Sequence, residues 1–327
     1  MAGNPFYANA RAKSAENYLL GADRFNRMLQ ADSAEDALKI LREVNFGEGA
    51  NAESALEFEA LLRAEREKLN RFVREVSPSR AFRRFFLAES DYHNAEALIK
   101  AKHLKISAEP LLTAGGDIDP ARMEEKIMAD DYASFPPPMA SALLYCDNAF
   151  VNGTATGARI GDAMKRALFA DRKECSAKNG DLKALYSVMA DTANLSSALR
   201  ARNYARFLEM RVPGGRLTEN EAKALSEDPL ETLKEKLKYF YLSDFAFAAI
   251  DAAAEGKPLS AFEKLSDDAL LLHFKKKRYD MSGCIPFMLY CYYKRAELTN
   301  LRIIMVGLIN KLDRSEIQER LREAYEG

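Results

Sequence analysis

The sequence predicts an all-α fold, on three observations. Apolar residues recur at helical spacing along most of the chain. Ala, Leu, Glu, Lys and Arg, which favour helix, are abundant, while valine occurs only seven times. No alternating apolar run is flanked by the Asn-Gly or Asp-Gly pairs that close hairpins. A chain of 327 residues that is 48% hydrophobic has enough apolar material for a substantial core. Its 48 basic side chains against 49 acidic ones leave a net charge of −1, so no global field draws it to nucleic acid or an anionic membrane.

The elements follow in order. Ser33-Ala34-Glu35-Asp36 reads as a capping box with a shorter acid, opening a helix through Leu41 and Val44. Gly47 to Asn51 ends that region, and Ser77-Pro78-Ser79 interrupts a charged helical stretch. Phe135 followed by Pro136, Pro137 and Pro138 is a stiff turn, because each proline turns its predecessor away from helix. Gly153, Gly157 and Gly161 match neither phosphate-loop spacing and read as a loop running into a closely packed helix. Ala198, Ala201 and Ala205 form a small-residue face. Gly214-Gly215 and Gly256-Lys257-Pro258 are turns, Thr218 and Ser226 are candidate N-caps, and Glu231–Phe240 is a helix facing inward through Leu233, Leu237 and Phe240. The aromatic runs 239–247 and 286–293 read as core. Leu301, Ile304, Met305, Leu308 and Leu312 make one helical stripe.

Reactive groupings are missing. Cys146, Cys175, Cys284 and Cys291 form no CxxC, and His93, His103 and His273 are scattered, so a metal site and a cofactor are not expected; Cys284 and Cys291, seven apart on one helix face, read as buried free thiols. Acid pairs such as Asp130-Asp131 and Asp267-Asp268 read as helix starts or surface. The N-terminal segment lacks a signal-peptide core and no run reaches 18 apolar residues, which predicts a soluble chain of the reducing cytosol.

One phrase is written three times: "DYHNAEALIKAKH" from Asp91, "DTANLSSALRARN" from Asp191 and "ELTNLRIIMVGLIN" from Glu297. Each has an acid, two residues, an asparagine, and apolar residues one, four and five places on. Gly115-Gly116 follows Asn94 and Gly214-Gly215 follows Asn194, each pair leading to a new helix start. A period near 100 is too long for a solenoid repeat and points to triplication of a small helical unit. Residues 28–44 align with 224–240, Leu29 on Leu225 and Leu41 on Leu237, as though the N-terminal region supplied the second half of the third copy. The expected lobes are 1–90 with 297–327, 91–190, and 191–296, closed on one another so that no half-unit exposes an apolar face.

The stretch 293–325, the phrase at 191–203, "VPGGRLTENEAKAL", and the opening "YANARAKSAENYLL" through "ALKILREVNFG" together resemble the C subunit of V-type and A-type rotary ATPases, related to the d subunit of the eukaryotic enzyme. The resemblance runs the whole chain in order. His93 and Ala95 around the first asparagine, and the glycines of 151–170, depart from the smoother pattern and weaken residue-level transfer there. The resemblance implies a funnel of three pseudo-equivalent lobes around a central hollow. It implies a peripheral position on the cytoplasmic face of the membrane, with the central-stalk subunits D and F and the membrane rotor ring as partners, and torque transmission without catalysis. No nucleic acid, no small-molecule substrate and a monomeric isolated chain are expected.

Charges near the repeat helices are the candidate partner contacts: Arg200 and Arg202 in the second copy, Lys294 and Arg295 before the third, and the run Lys275, Lys276, Lys277 and Arg278, suited to an acidic surface or anionic headgroups. The competing class is an all-helical scaffold or adaptor with no rotary role; a lobed helical enzyme ranks third.

Overall fold

A computed structural model describes residues 4–326. Among these, sixteen α-helices and no strand are present: α1 (Pro5–Glu16), α2 (Ala22–Leu29), α3 (Ala34–Glu43), α4 (Phe58–Val76), α5 (Arg80–Leu104), α6 (Pro120–Met128), α7 (Pro137–Val151), α8 (Gly157–Ser176), α9 (Gly180–Ala201), α10 (Tyr204–Met210), α11 (Glu219–Glu227), α12 (Leu230–Leu237), α13 (Ser243–Ala254), α14 (Leu259–Lys275), α15 (Ile285–Ile309) and α16 (Arg314–Glu319). The all-α reading of the sequence is correct.

Helix starts follow local chemistry. Ser33 caps α3, its Oγ accepting from Asp36 N at 3.1 Å. Thr218 and Glu221 form a complete capping box on α11. Ser226 does not cap anything: it lies inside α11, fully buried, and donates back to Ala222 O at 2.9 Å. The next helix starts after Pro229, at Leu230, and ends at Leu237, with Leu233 and Leu237 buried and Phe240 in the turn beyond. The alanine face of the second copy is cut short, because α9 stops at Ala201, Asn203 caps α10 and Ala205 is exposed. A Cβ on Gly153, before α8, or on Gly157, its first residue, would meet nothing within 4 Å, so neither glycine serves close packing.

The chain forms two compact units, Met1–Pro78 with Asp251–Gly327, and Ser79–Ile250. In the first, chain segments far apart in sequence share one core. Phe25, Met28, Leu38 and Leu41 from α2 and α3 pack with Leu61 and Leu62 of α4, with Leu301, Ile304, Met305 and Leu308 of α15, and with Ile317 of α16. Asn9, fully buried on α1, accepts from Phe287 N and donates to Gly283 O at 2.7 Å, fixing α1 to the start of α15. In the second unit α5, α6, α7 and α8 bury Ile99, Met123, Ile127, Leu143 and Met164 together. Polar staples tie α5 to α8: Arg84 pairs with Asp171 at 2.6 Å, and Arg172 donates to Phe85 O and pairs with Glu89.

The sequence-based divisions at 90/91, 190/191 and 296/297 fall inside α5, α9 and α15, which run straight through them. The repeated phrase therefore marks a point in the middle of a long helix rather than its beginning.

Leu301 is fully buried among α2, α3 and α4 residues, so Leu301→Ala is expected to lower unfolding free energy by about 2–5 kcal/mol, measured by urea denaturation.

Candidate functional site: three carboxamide clamps and a basic surface

Each repeated asparagine does the same job. Asn94 Nδ2 donates to Thr113 O at 2.9 Å while its Oδ1 accepts from Thr113 N at 2.8 Å. Asn194 exchanges the same two bonds with Val212, at 3.1 and 2.9 Å. Asn300 does so with Arg322, at 3.0 and 2.8 Å. All three asparagines are buried, at 0–2% exposure. A side-chain amide here imitates the pairing of two residues across an antiparallel ladder, and so fastens an extended strap to the middle of α5, α9 and α15. The donor and acceptor of the strap residue are both satisfied, as burial demands.

The acid three residues earlier holds the far end of the strap. Asp91 accepts from Asp117 N and Ile118 N, both at 3.0 Å. Asp191 accepts from Arg216 N and Leu217 N, and from Tyr241 Oη at 2.7 Å. The glycine pairs exist for this approach: a Cβ on Gly116 would stand 1.9 Å from Asp91 Oδ1, and one on Gly215 would stand 2.2 Å from Asp191 Oδ1. The residue after each clamped amide is the N-cap of the next helix, Asp119 for α6 and Thr218 for α11.

The third clamp is built differently. Three residues on from Arg322 stands Tyr325 rather than glycine, and the acid is the longer Glu297. Its Oε2 accepts from Leu20 N at 2.5 Å, and the residue after Leu20, Gly21, is the N-cap of α2. Leu20 thus stands where Ile118 and Leu217 stand. The offset from Leu20 to Leu217 is 197, one more than in the sequence alignment, which holds again at the caps Ser33 and Pro229. Beyond each clamp, a cation reaches the end of the helix that the strap introduces: Lys102 pairs with Asp130, Arg202 donates to Leu225 O at 2.8 Å, and Arg314 donates to Ala31 O at 2.5 Å.

Burial sets the electrostatics. It pushes Asp91 up to about 7 against the pull of the Ile118 and Asp117 amides, and raises Asp191 against its bonds from Tyr241, Leu217 and Arg216. Glu297 is raised by burial as well. Lys294 lies between Glu297 and Glu65, 2.6 Å from Glu65 Oε2; burial opposes its charge, yet the two carboxylates hold it above the ordinary lysine value. Glu65 also accepts from Gly47 N at 3.1 Å. These acids are engaged by amides, a tyrosine hydroxyl and an ammonium. Among the described residues no group of three His, Cys, Asp or Glu side chains is arranged to hold a metal ion.

The expected surface cations separate into kinds. Lys294 is corrected: it is 5% exposed and neutralised inside the fold, because an aliphatic stem and two acids make burial possible. Arg202 is exposed but turns its guanidinium onto Leu225 O and Asp228 O. Lys275 pairs with Glu326 at 3.0 Å and Arg278 donates to Glu326 O at 2.9 Å. Arg200, Lys276 and Lys277 are exposed; Arg295 is half-buried against the Tyr292 ring. The strap residues that the asparagines clamp, Thr113, Val212 and Arg322, together with Glu65 and Arg314, were not singled out in the sequence; the spacing from Asn94 and Asn194 to their glycine pairs was the available signal. Asp267 and Asp268 lie within α14 rather than at its start: Asp267 is a surface acid, as expected, paired with Arg322, while Asp268 is buried and accepts from Glu323 N.

Residues 8–320 match the family described as ATP synthase (C/AC39) subunit, and the chain belongs to that family. It is 20% identical, over 97% of its length and 98% of the relative's, to the C subunit of the V-type sodium ATPase of Enterococcus hirae. It is 26% identical, over 98% of its length and 99% of the relative's, to the C subunit of the V-type ATP synthase of Thermus thermophilus. No described helix is long and apolar enough to cross a membrane.

Two outcomes test the clamps. Asn194→Ala strands a buried N–H and C=O on Val212 and is expected to cost about 2–5 kcal/mol in urea unfolding. For Asp91 the folded value near 7 lies above the ordinary 3.8, so the folded state binds the proton more tightly than the unfolded state. Its contribution is fully present below pH 4 and is lost as pH rises towards 7, at up to about 1.4 kcal/mol per pH unit. The stability difference between the native protein and Asp91→Asn, followed from pH 4 to 8, is expected to shift against the native protein over that window.

Proposed function

We propose that the chain is a non-catalytic central-stalk subunit of a V/A-type rotary ATPase. In this reading it joins the axle, subunits D and F, to the membrane rotor ring and transmits torque for ATP-coupled proton or sodium transport. The observation that carries the reading is the family match from residue 8 to residue 320, supported by relatives named as the C subunits of a V-type sodium ATPase and a V-type ATP synthase at near-complete coverage. The tripled clamp supports it physically. A part that passes torque must resist internal slip, and the buried asparagines Asn94 and Asn194, bonded to both groups of a strap residue in continuous chain, hold those two joints at a defined register.

The same reading makes the three repeats three equivalent lobes around a central hollow, 1–90 with 297–327, 91–190 and 191–296. It places the protein peripherally on the cytoplasmic face. Arg200, Lys276, Lys277 and Arg295 are the proposed contacts to acidic partner surfaces. Their number rather than any one of them would carry the load, since exposed pairs contribute about 0–1 kcal/mol each.

The test is purification of the detergent-solubilised V/A-type complex from the source cells. The chain should be present at one copy per complex; its absence would favour the scaffold reading. The double variant Lys276→Glu, Lys277→Glu is expected to lower retention in that complex with no change in the thermal unfolding midpoint of the isolated chain.

A further inference from the structure

The third strap differs from the other two in how it is held. From Thr113 to Ile118, and from Val212 to Leu217, the stretch between the asparagine's partner and the acid's partner is continuous chain. In the third clamp those partners are Arg322 and Leu20, which no short peptide joins. Residues 322–326 are instead fastened by side chains. Arg322 pairs with Asp267 at 3.1 Å and Glu323 N donates to Asp268 at 2.7 Å. Tyr325 donates to Glu16 at 2.8 Å, sets its ring edge-on to Tyr293, and bridges Gly21 in parallel. Glu326 holds Lys275 through its carboxylate and Arg278 through its carbonyl.

We propose that residues 322–326 are a releasable latch whose Glu326 occupies Lys275 and Arg278 of the basic run in cis, and that an acidic peptide competes for the same cations when it opens. The latch ends the chain of bonds in unit Met1–Pro78 with Asp251–Gly327, and its outermost pairs are wet: the side chains of Glu326 and Asp267 are 66% and 55% exposed. Such pairs are screened by salt, whose Debye length falls to about 3 Å at 1 M. Closed, the latch engages Lys275 and Arg278 and leaves Lys276 and Lys277 outward. Open, it frees Lys275 of its ion pair and Arg278 of the Glu326 carbonyl, beside the outward Lys276 and Lys277. Local openings of this kind involve the parts of a fold with the fewest buried contacts. The inference does not rest on a rotary role.

Hydrogen exchange on the full-length protein tests the latch. The amides of Arg322 and Leu20 are expected to exchange at least about tenfold faster than those of Thr113, Ile118, Val212 and Leu217, and 1 M KCl should accelerate the first pair alone. Equal protection in all three straps, or no response to salt, would overturn it. Labelled poly-L-glutamate then probes the cations. Glu326→Gln should speed exchange at Arg322 and bind the polymer several-fold tighter than the native chain. Asp280→Asn, the same charge change beside the run but outside the latch, should do neither. A polymer gain equal in the two variants would refute masking.

Discussion

The fold depends on a side-chain amide standing in for a strand. In an all-α protein, an extended segment crossing a helix has no ladder to satisfy its backbone, and a buried unpaired amide costs about 1–3 kcal/mol. Asparagine answers this because one short side chain carries a donor and an acceptor at peptide geometry. Asn94, Asn194 and Asn300 each bind both groups of a single strap residue. Aspartate would offer no donor to the carbonyl, and glutamine would hold the strap farther out with one more rotatable bond. The register then propagates: the strap's far end meets the acid one turn away, and its next residue caps the following helix.

The acids show how one geometric demand is met by different chemistry. Asp91 and Asp191 bond to amides inside their own strap, which requires glycine at the point of approach. Glu297 reaches across to Leu20 and keeps a lysine for company, with Glu65 completing the neutralisation. A negative charge left alone at such depth is strongly disfavoured, and the three sites relieve it by amide bonds, a tyrosine hydroxyl or an ammonium.

Much of this was legible in the sequence. Helical spacing exposed the Leu301 to Leu308 stripe, Thr218 and Ser33 announced their helices, and the triple phrase put a mark on each clamp. What the phrase meant was not legible, because the partner of each asparagine is a backbone group 18, 19 or 22 residues away that carries no side-chain signature. Lys294 misled for a related reason: charge suggests solvent, and only the neighbouring positions of Glu65 and Glu297, far apart or unremarkable in sequence, reveal a buried pair. Ser226 misled because a residue suited to capping is equally able to donate to the carbonyl four places back. Identities of 20–26% across nearly complete lengths accord with such a fold, since most inward positions ask only for apolar volume.

The bond from Leu20 N to Glu297 spans 277 residues. At about 5–20 residues per second of synthesis, α2 and α3 wait roughly 15–55 s for the helix that covers them. Phe25, Met28, Leu38 and Leu41, which pack early with one another and with Leu61 and Leu62 of α4, lack the α15 part of their core throughout that interval. The nascent chain therefore carries an early sticky patch, and ribosome-associated chaperones have a defined segment and a defined time in which to shield it.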